Sequence, residues 1–281
     1  MPSLPGRPVV EASGVSKQYG SVTALDGLDL KIMPGEIYGL LGPNGAGKTT
    51  MIKIIAGLIE PSSGSVRVLG LEPSSHPVEV KASVGYVSEA SMLYDSLSPR
   101  DFFEFVASVR KIDQKAANER VAALATAFGL DQYYDSPIAT LSMGTKQKIS
   151  IIASLLHEPH LLLLDEPLNG LDAKSSRIVK NLISIHTQKR EGAVLFSTHV
   201  MEIAEHICDR IGIIYQGKKV AEGSLDQLRK KANAIAVTSK SGRQESVASA
   251  TFEEIFLKLT NEEDEIAETV RALHEAFDES K

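Results

Sequence analysis

A glycine-rich segment of the chain could hold a row of phosphate groups. Residues 42–49 read GPNGAGKT, which fits the pattern G-x-x-x-x-G-K-[ST] between an apolar run and a helical pattern. Glycines let backbone N–H groups point inward around a polyphosphate, and the N-terminus of the following helix adds positive potential. Lys48 would compensate the β- and γ-phosphates, and the Thr49 hydroxyl could coordinate Mg²⁺. The residues that we assign to the nucleotide are Gly42, Pro43, Asn44, Gly45, Ala46, Gly47, Lys48, Thr49 and Thr50.

Two adjacent acids could supply the remaining chemistry. Residues 161–164 form a continuously apolar run that predicts a buried parallel strand, and Asp165 and Glu166 follow it. Asp165 is the candidate that holds Mg²⁺ through water, and Glu166 is the candidate that orients or deprotonates an attacking water. Lys48 and Asp165 lie 117 residues apart. We therefore expect a sizeable insertion between neighbouring strands of one sheet.

The apolar runs predict an α/β fold with a parallel sheet. Helical patterns alternate with short apolar runs, as they do in such sheets. The runs lie at residues 37–41, 161–164, 193–197 and 211–215. In residues 9–32, apolar and polar residues alternate between glycines, as they do in short strands joined by turns. Residues 65–71 are a second β-rich stretch.

A helical insertion is predicted at about residues 90–158. Ser98 and Asp101 have the spacing of a capped helix start, and Phe102 and Phe105 follow at helical spacing. We expect these phenylalanines in the core. Residues 98–130 are thus mostly helical, and a further helix is expected from about Ser142 to His157.

Composition restricts the class of protein. With 281 residues, 43% hydrophobic and 23% charged, the chain has the composition of a packed globular protein. Its single cysteine, Cys208, excludes an internal disulfide scaffold, and no run approaches the ~20 apolar residues of a membrane-spanning helix. The net charge is −6, but residues 253–281 hold ten acids against three bases. Because the remainder is nearly neutral, we expect no nucleic-acid partner.

A third segment shows the family resemblance. Residues 141–147 read LSMGTKQ, and Ser142 has the position of an N-cap for the helix that follows. Such a helix start is an anion-binding site, and this second one has no phosphate of its own to bind. Together with the phosphate loop and the acid pair, the segment makes the chain resemble the ATP-binding subunit of an ABC transporter. The resemblance covers roughly residues 8–225.

The resemblance implies both a fold and a function. The fold would be a P-loop NTPase with a RecA-like parallel-sheet core, an N-terminal antiparallel β subdomain and an inserted α-helical signature subdomain. Residues 8–225 would form the ATP-binding domain, and 226–281 an acidic, mainly helical accessory segment. The chain would bind ATP and Mg²⁺ and hydrolyse ATP as a peripheral protein on the cytoplasmic face of the membrane. It would energise a separate permease, for export, within a head-to-tail dimer with a second ATP-binding subunit.

The resemblance also assigns further site residues. Ser142 and Gly144 would bind the γ-phosphate of ATP held by the partner subunit. Asp172, in the segment NGLD at 169–172, would communicate across the dimer, and His199, which follows an apolar strand, would contact the γ-phosphate. Tyr19 would stack on adenine. Glu89 stands where the family usually has a glutamine metal ligand, which leaves the composition of the metal shell open.

Other interpretations remain open at this stage. A soluble ABC-type ATPase acting on ribosomes or DNA is the main alternative, although one phosphate loop and a 117-residue spacing argue against its usual forms. A nucleotide-binding scaffold without turnover is opposed by the intact Lys48, Asp165, Glu166 and His199. The C-terminal apolar stripes, Phe252–Leu259 and Ile266–Phe277, could dock on the chain's own domain or pair with the partner subunit.

Overall fold

The computed structural model describes residues 6–190, 192–238, 252–260 and 269. Its centre is a six-stranded sheet in the order β5-β6-β7-β3-β8-β9, in which the first five strands are parallel and β9 is antiparallel to β8. A second, antiparallel sheet has the order β2-β1-β4. The strands are β1 Val10–Tyr19, β2 Val22–Ile32, β3 Ile37–Leu41, β4 Ser63–Val68, β5 Val84–Val87, β6 Leu161–Asp165, β7 Ala193–Thr198, β8 Arg210–Tyr215 and β9 Lys218–Gly223.

Helices cover the parallel sheet and fill the long connection between β5 and β6. They are α1 Lys48–Ile55, α2 Pro77–Ser83, α3 Pro99–Val109, α4 Gln114–Phe128, α5 Met143–Leu155, α6 Ala173–Arg190, α7 Met201–Ile207, α8 Leu225–Thr238 and α9 Phe252–Thr260. The β5–β6 connection contains α3, α4 and α5, so the predicted helical insertion is present. Ser98 and Asp101 form the expected capping box at the start of α3. None of the helices in the described ranges is both long and apolar enough to span a membrane.

The α/β class, the antiparallel β subdomain and the helical insertion are confirmed. The central strands β3, β6 and β7 are buried at every residue, because helices cover both faces of the sheet. Two elements were not anticipated: the short helix α2 and the antiparallel edge strand β9. Strand β9 (KKVAEG) alternates weakly, since an edge strand that is partly exposed needs few apolar residues.

One core prediction was half wrong. Phe102 is buried, but Phe105 is 43% exposed and Val109, at the end of the same helix, is 62% exposed. Helical spacing identifies a stripe of apolar residues without identifying what covers it. Only part of the α3 stripe packs against α4 and α5, and the rest lines a groove.

The described part of the C-terminal segment packs on the chain's own domain. In α9, Ile255 and Phe256 are buried in an apolar cluster that also contains Leu41, at the end of β3, and Leu228 of α8. Of the two alternatives for the first C-terminal stripe, these contacts correspond to docking on the chain's own domain. The second stripe, Ile266–Phe277, lies outside the described residues.

The helical insertion is joined tightly to the sheet at the start of β5. A Cβ atom on Gly85 would lie 2.3 Å from the carbonyl oxygen of Ser154, so α5 and β5 approach each other at backbone distance. Two residues beyond α5, His157 Nε2 donates a hydrogen bond to the carbonyl oxygen of Val84 at 3.0 Å. Burial, aided by the positive charge of Arg110, lowers the pKa of His157 to about 4.

This low pKa predicts a pH dependence of stability. In the unfolded chain His157 protonates near pH 6.5, whereas in the folded chain it stays neutral down to about pH 4. The stabilisation is therefore complete above about pH 6.5 and is lost as the pH falls towards 4. His157→Gln keeps a hydrogen-bond donor but does not titrate. Between pH 7.5 and 4.5 we expect the free energy of unfolding of this variant to fall by about 2 kcal/mol less than that of the wild type.

Urea unfolding at a series of pH values measures this difference. His76→Gln, at an exposed histidine before α2, is the matched control and should follow the wild-type curve. Parallel pH dependences for His157→Gln and the wild type would contradict the assignment.

Candidate functional site

The glycine-rich segment forms a tight turn between β3 and α1. Gly45 and Gly47 have φ values of +83° and +109°, in the left-handed region that favours glycine. Cβ atoms on Gly42 and Gly47 would lie 2.2 Å from the carbonyl oxygen of Ile214 and 2.5 Å from that of Ala24. The turn is therefore wedged between the β8–β9 hairpin and β2. Of its other predicted residues, Asn44 is exposed, Ala46 is buried, and Pro43, Thr49 and Thr50 are half-buried.

Lys48, the first residue of α1, points its ammonium group back across the turn. Its Nζ donates to the carbonyl oxygens of Gly42 at 2.7 Å and Pro43 at 3.1 Å, and it lies 3.4 Å from Glu166 Oε1. The Lys48 side chain is only 6% exposed. A cation in such a dry setting interacts strongly with any phosphate that reaches the turn.

Asp165 and Glu166 stand at the end of β6, where β7 runs alongside. Asp165 Oδ1 accepts a hydrogen bond from Ser197 Oγ at 2.6 Å, while Asp165 Oδ2 is buried and has no hydrogen-bond partner in the described part of the chain. Glu166 has a φ of +49°, which is strained for a side chain of this size. Its backbone N–H donates to both the Oγ and the carbonyl oxygen of Ser197, each at 3.2 Å.

The Glu166 carboxylate lies between a cation and an imidazole. Its Oε1 accepts a hydrogen bond from His199 Nδ1 at 3.0 Å and faces Lys48 from the other side. Glu166 is 4% exposed, whereas the His199 side chain is 43% exposed. The structure thus joins residues from three separate segments around one buried carboxylate, which can accept a proton from a neighbouring nucleophile.

Residues 141–147, called the signature segment below, begin α5 as predicted, and α5 is therefore called the signature helix. Ser142 is the N-cap: its Oγ accepts from the backbone N–H of Thr145 at 3.2 Å. A Cβ atom on Gly144 would lie 2.4 Å from the carbonyl oxygen of Gly170. The glycine is needed for the close approach of residues 169–172 to the helix. Met143, by contrast, is 60% exposed beside it.

Asp172 is held within its own chain as the cap of α6. Its carboxylate accepts from the backbone N–H and the hydroxyl of Ser175, both at 2.8 Å, and pairs with Lys148 of α5 at 3.2 Å. These bonds, the Ser175 backbone bond first, hold the pKa of Asp172 well below its usual range. The signature helix and the segment 169–172 are therefore connected by an ion pair as well as by backbone packing.

Tyr19 and Glu89 lie at the margins of the site. Tyr19 ends β1 with its ring half exposed, opposite Val22, and the same hairpin reaches the phosphate loop through Ala24. Glu89 is exposed in the loop after β5. Among the described residues, no hydrogen bond or ion pair joins Glu89 to Thr49 or Asp165, so its place in a metal shell stays a prediction.

Two residues that sequence reasoning missed organise the acid pair. Ser197 connects Asp165 to the Glu166 backbone, and buried Gln147 donates from Nε2 to the carbonyl oxygen of Pro167 at 3.2 Å. A polar residue near the end of a wholly apolar strand was the available signal for Ser197. Gln147 ends the quoted segment 141–147, but nothing in that pattern pointed to its contact with Pro167, because the contact depends on how α5 lies against the loop after β6.

Comparison with known proteins gives a consistent result. The family model described as ABC transporter matches residues 25–169, just over half of the chain. Over 226 residues the chain is 37% identical to the Escherichia coli protein named probable multidrug ABC transporter ATP-binding protein YbhF, a match of 80% of this chain but 39% of that protein. It therefore spans about two fifths of that relative's length.

Two further matches cover more of the compared chain. The bacitracin transport ATP-binding protein BcrA of Bacillus licheniformis is 34% identical over 223 residues, which are 79% of this chain and 72% of BcrA. A solved structure described as the ATP-binding subunit of an ABC transporter superposes with a TM-score of 0.80 at 29% identity. That superposition covers 90% of this chain and 99% of the other.

Proposed function

This chain belongs to the ABC transporter family, and we propose that it is the subunit that binds and hydrolyses ATP to energise a separate membrane permease. The observation that carries the proposal is the buried Glu166 carboxylate, which contacts both Lys48 of the phosphate loop and His199. We further propose that the transport direction is export. The multidrug name of the Escherichia coli relative supports that direction.

The phosphate loop would bind the nucleotide. Backbone N–H groups of the turn at residues 42–49 and of the first turn of α1 would bind the phosphates, and Lys48 would exchange its two carbonyl partners for phosphate oxygens. Tyr19, whose exposed ring ends the neighbouring hairpin, would stack on adenine.

The acid at the end of β6 would serve the metal. Asp165 Oδ2, a buried carboxylate oxygen without a partner, has the chemistry of a Mg²⁺ or metal-bound water acceptor, and the Thr49 hydroxyl and Glu89 are the other proposed ligands. Bound Mg²⁺ would neutralise charge on the β- and γ-phosphates. Ser197 holds the second oxygen of Asp165 and so fixes the orientation of the carboxylate.

Glu166 would act as the general base. Its carboxylate would accept the proton of the attacking water or orient that water towards the γ-phosphate. His199 and Lys48 would contact the same phosphate, since both already border the carboxylate. Positioning and electrostatic stabilisation provide most of the catalysis in phosphoryl transfer, so this fixed arrangement is what the reaction needs.

Two subunits would complete each site. Ser142 and Gly144 lie at the start of a 13-residue helix, where Ser142 and Met143 are exposed, and Gly144 lies against Gly170 of its own chain. We propose that it binds the γ-phosphate of ATP on a partner subunit, in a head-to-tail dimer. Asp172, fixed by Lys148 against the same helix, would lie at that junction.

A groove between the helical insertion and β5 would receive the permease. It has a volume of about 340 Å³, and its apolar lining includes Leu58, Met92, Phe105 and Val109, all substantially exposed. An apolar surface of this kind marks an interaction site. Attachment there would make the chain a peripheral protein on the cytoplasmic face of the membrane.

Glu166→Gln tests the assignment of the base. We expect ATP hydrolysis to fall by about 10² or more, because the amide cannot accept the proton, while the affinity for ATP changes little. The variant should also accumulate as an ATP-bound dimer that does not clear its γ-phosphate, detectable by size-exclusion chromatography. Glu202→Gln, at an exposed acid in α7, is the control. Normal steady-state hydrolysis by Glu166→Gln would refute the role.

Ser142→Arg tests the shared site. The bulky side chain should block the partner's γ-phosphate and abolish cooperative hydrolysis, whereas ATP binding to the monomer should persist because the phosphate loop is untouched. Mixing this variant with Lys48→Ala should restore part of the activity, since each mixed dimer contains one intact site. Ser74→Arg, at an exposed position outside the site, is the control. A normal hydrolysis rate for Ser142→Arg alone would exclude the shared mechanism.

Val109→Asp tests the groove. A charge there should reduce the fraction of chain that sediments with membranes of the producing cells by about tenfold, because burying an unpaired carboxylate is costly. Nucleotide affinity should be unchanged. Val78→Asp, at an exposed valine on α2 outside the groove lining, is the matched control. Equal sedimentation of the two variants would argue against the groove as the permease surface.

A further inference from the structure

Gln147 bridges two loops from the side of the signature helix. The residue lies in the second turn of α5 and is 2% exposed. Its Oε1 accepts a hydrogen bond from Ser91 Oγ at 3.3 Å, and its Nε2 donates to the carbonyl oxygen of Pro167 at 3.2 Å. One buried amide therefore joins the loop that follows β5 to the loop that follows β6.

The Pro167 contact falls next to the strained residue of the site. Glu166 has a left-handed backbone that its own propensity does not favour, so neighbouring groups must hold it there. On its N-terminal side, the Glu166 N–H is fixed by Ser197. On its C-terminal side, Pro167 has no N–H, and its carbonyl oxygen is fixed by Gln147. The Glu166 carbonyl oxygen itself accepts from the Asn169 N–H at 3.2 Å. The Ser197 contacts thus fix the peptide that precedes Glu166, and the Gln147 contact fixes the Pro167–Leu168 peptide, one residue beyond it.

The Ser91 contact connects the Gln147 amide to the surface. Ser88, Met92 and Leu93 of the same loop line the groove beside α3. The Ser91 hydroxyl donates to Oε1 of Gln147 and so holds the amide from the side of this loop while Nε2 faces the Pro167 carbonyl oxygen. A change in the loop at the groove thus reaches the Glu166 backbone through a single buried side chain.

We propose that Gln147 is a positioning residue for Glu166, and that Ser91 sets its orientation from the groove loop. The inference rests on the proposed function of Glu166 as the base of ATP hydrolysis. Gln147 contacts Ser91 and Pro167, and it acts by holding the Pro167–Leu168 peptide, one residue beyond Glu166. Small displacements of a reacting group reduce rates steeply, whereas substrate binding at the phosphate loop does not depend on this peptide.

Two substitutions of Gln147 separate its two bonds. Gln147→Leu removes both, and Gln147→Glu keeps an acceptor for Ser91 but has no donor for Pro167. We expect kcat for MgATP to fall about tenfold in both variants with KM within twofold of the wild type, and both should accumulate as ATP-bound dimers as slow hydrolysis requires. Gln114→Leu and Gln114→Glu, at an exposed glutamine of α4, are the matched controls and should keep the wild-type kcat.

Ser91→Ala completes a double-mutant cycle. It should reduce kcat about threefold in the wild type and not further in Gln147→Leu, because the hydroxyl acts only through the amide. Ser91→Ala removes a hydroxyl from a surface loop, so it tests the proposal even if a Gln147 variant fails to fold. If Ser91→Ala reduced kcat equally in the wild type and in Gln147→Leu, the proposed coupling of Ser91 to Gln147 would be overturned.

The outcomes distinguish this inference from the function on which it rests. A wild-type chain without ATP hydrolysis would refute the proposed function. Wild-type hydrolysis with unchanged kcat in folded Gln147→Leu and Gln147→Glu would overturn the positioning role alone. A raised KM at constant kcat would also overturn it, since that pattern reports a change in binding rather than in the placement of the base.

Discussion

The contact between Lys48 and Glu166 is the interaction on which the site depends. Both side chains are almost completely buried, and two charges removed from water are stable only when their remaining hydrogen-bonding capacity is used. Two loop carbonyl oxygens accept hydrogen bonds from the Lys48 ammonium group, and His199 donates a hydrogen bond to the Glu166 carboxylate. The residues come from three different strand ends, so the pair can form only if β3, β6 and β7 are parallel neighbours that end at one edge. The sheet topology that brings these strand ends to one edge is therefore also what allows the buried ion pair to form.

One of the strained residues of the described chain, Glu166, lies where these charges meet. The phosphate loop reaches its shape with glycines in left-handed conformations, which cost little, whereas Glu166 adopts such a conformation with a full side chain, at about 1–3 kcal/mol. This difference in residue type explains why the phosphate loop could be predicted from the sequence and the environment of Glu166 could not. A glycine is visible in the sequence at the position where it is needed, whereas the Glu166 N–H is held by Ser197 and the next residue, Pro167, by Gln147, both distant in sequence.

The sequence therefore predicted the local features and missed the contacts between segments. The phosphate loop, the acid pair, the buried strands and the helical insertion depend on residue types within a few positions of one another, and each appears in the structure as expected. The contacts of Ser197 and Gln147 depend on strand register and helix placement, which a single sequence does not contain. The exposure of Phe105 was missed for a related reason: the period of a helix identifies its apolar face but not the neighbour that covers it.

The described C-terminal helix, α9, also supports the segments that carry the nucleotide site. Ile255 and Phe256 share an apolar cluster with Leu41, which directly precedes the phosphate loop, and with Met201, which lies two residues after His199. Close packing transmits displacement, because a tightly packed cluster cannot absorb a shift of one member without moving others. The segments that carry Lys48 and His199 thus rest on one support, to which α9 contributes two buried side chains. The geometry around the Glu166 carboxylate is consequently maintained from two directions: by polar contacts from α5 above the strand ends, and by apolar packing from the C-terminal helix.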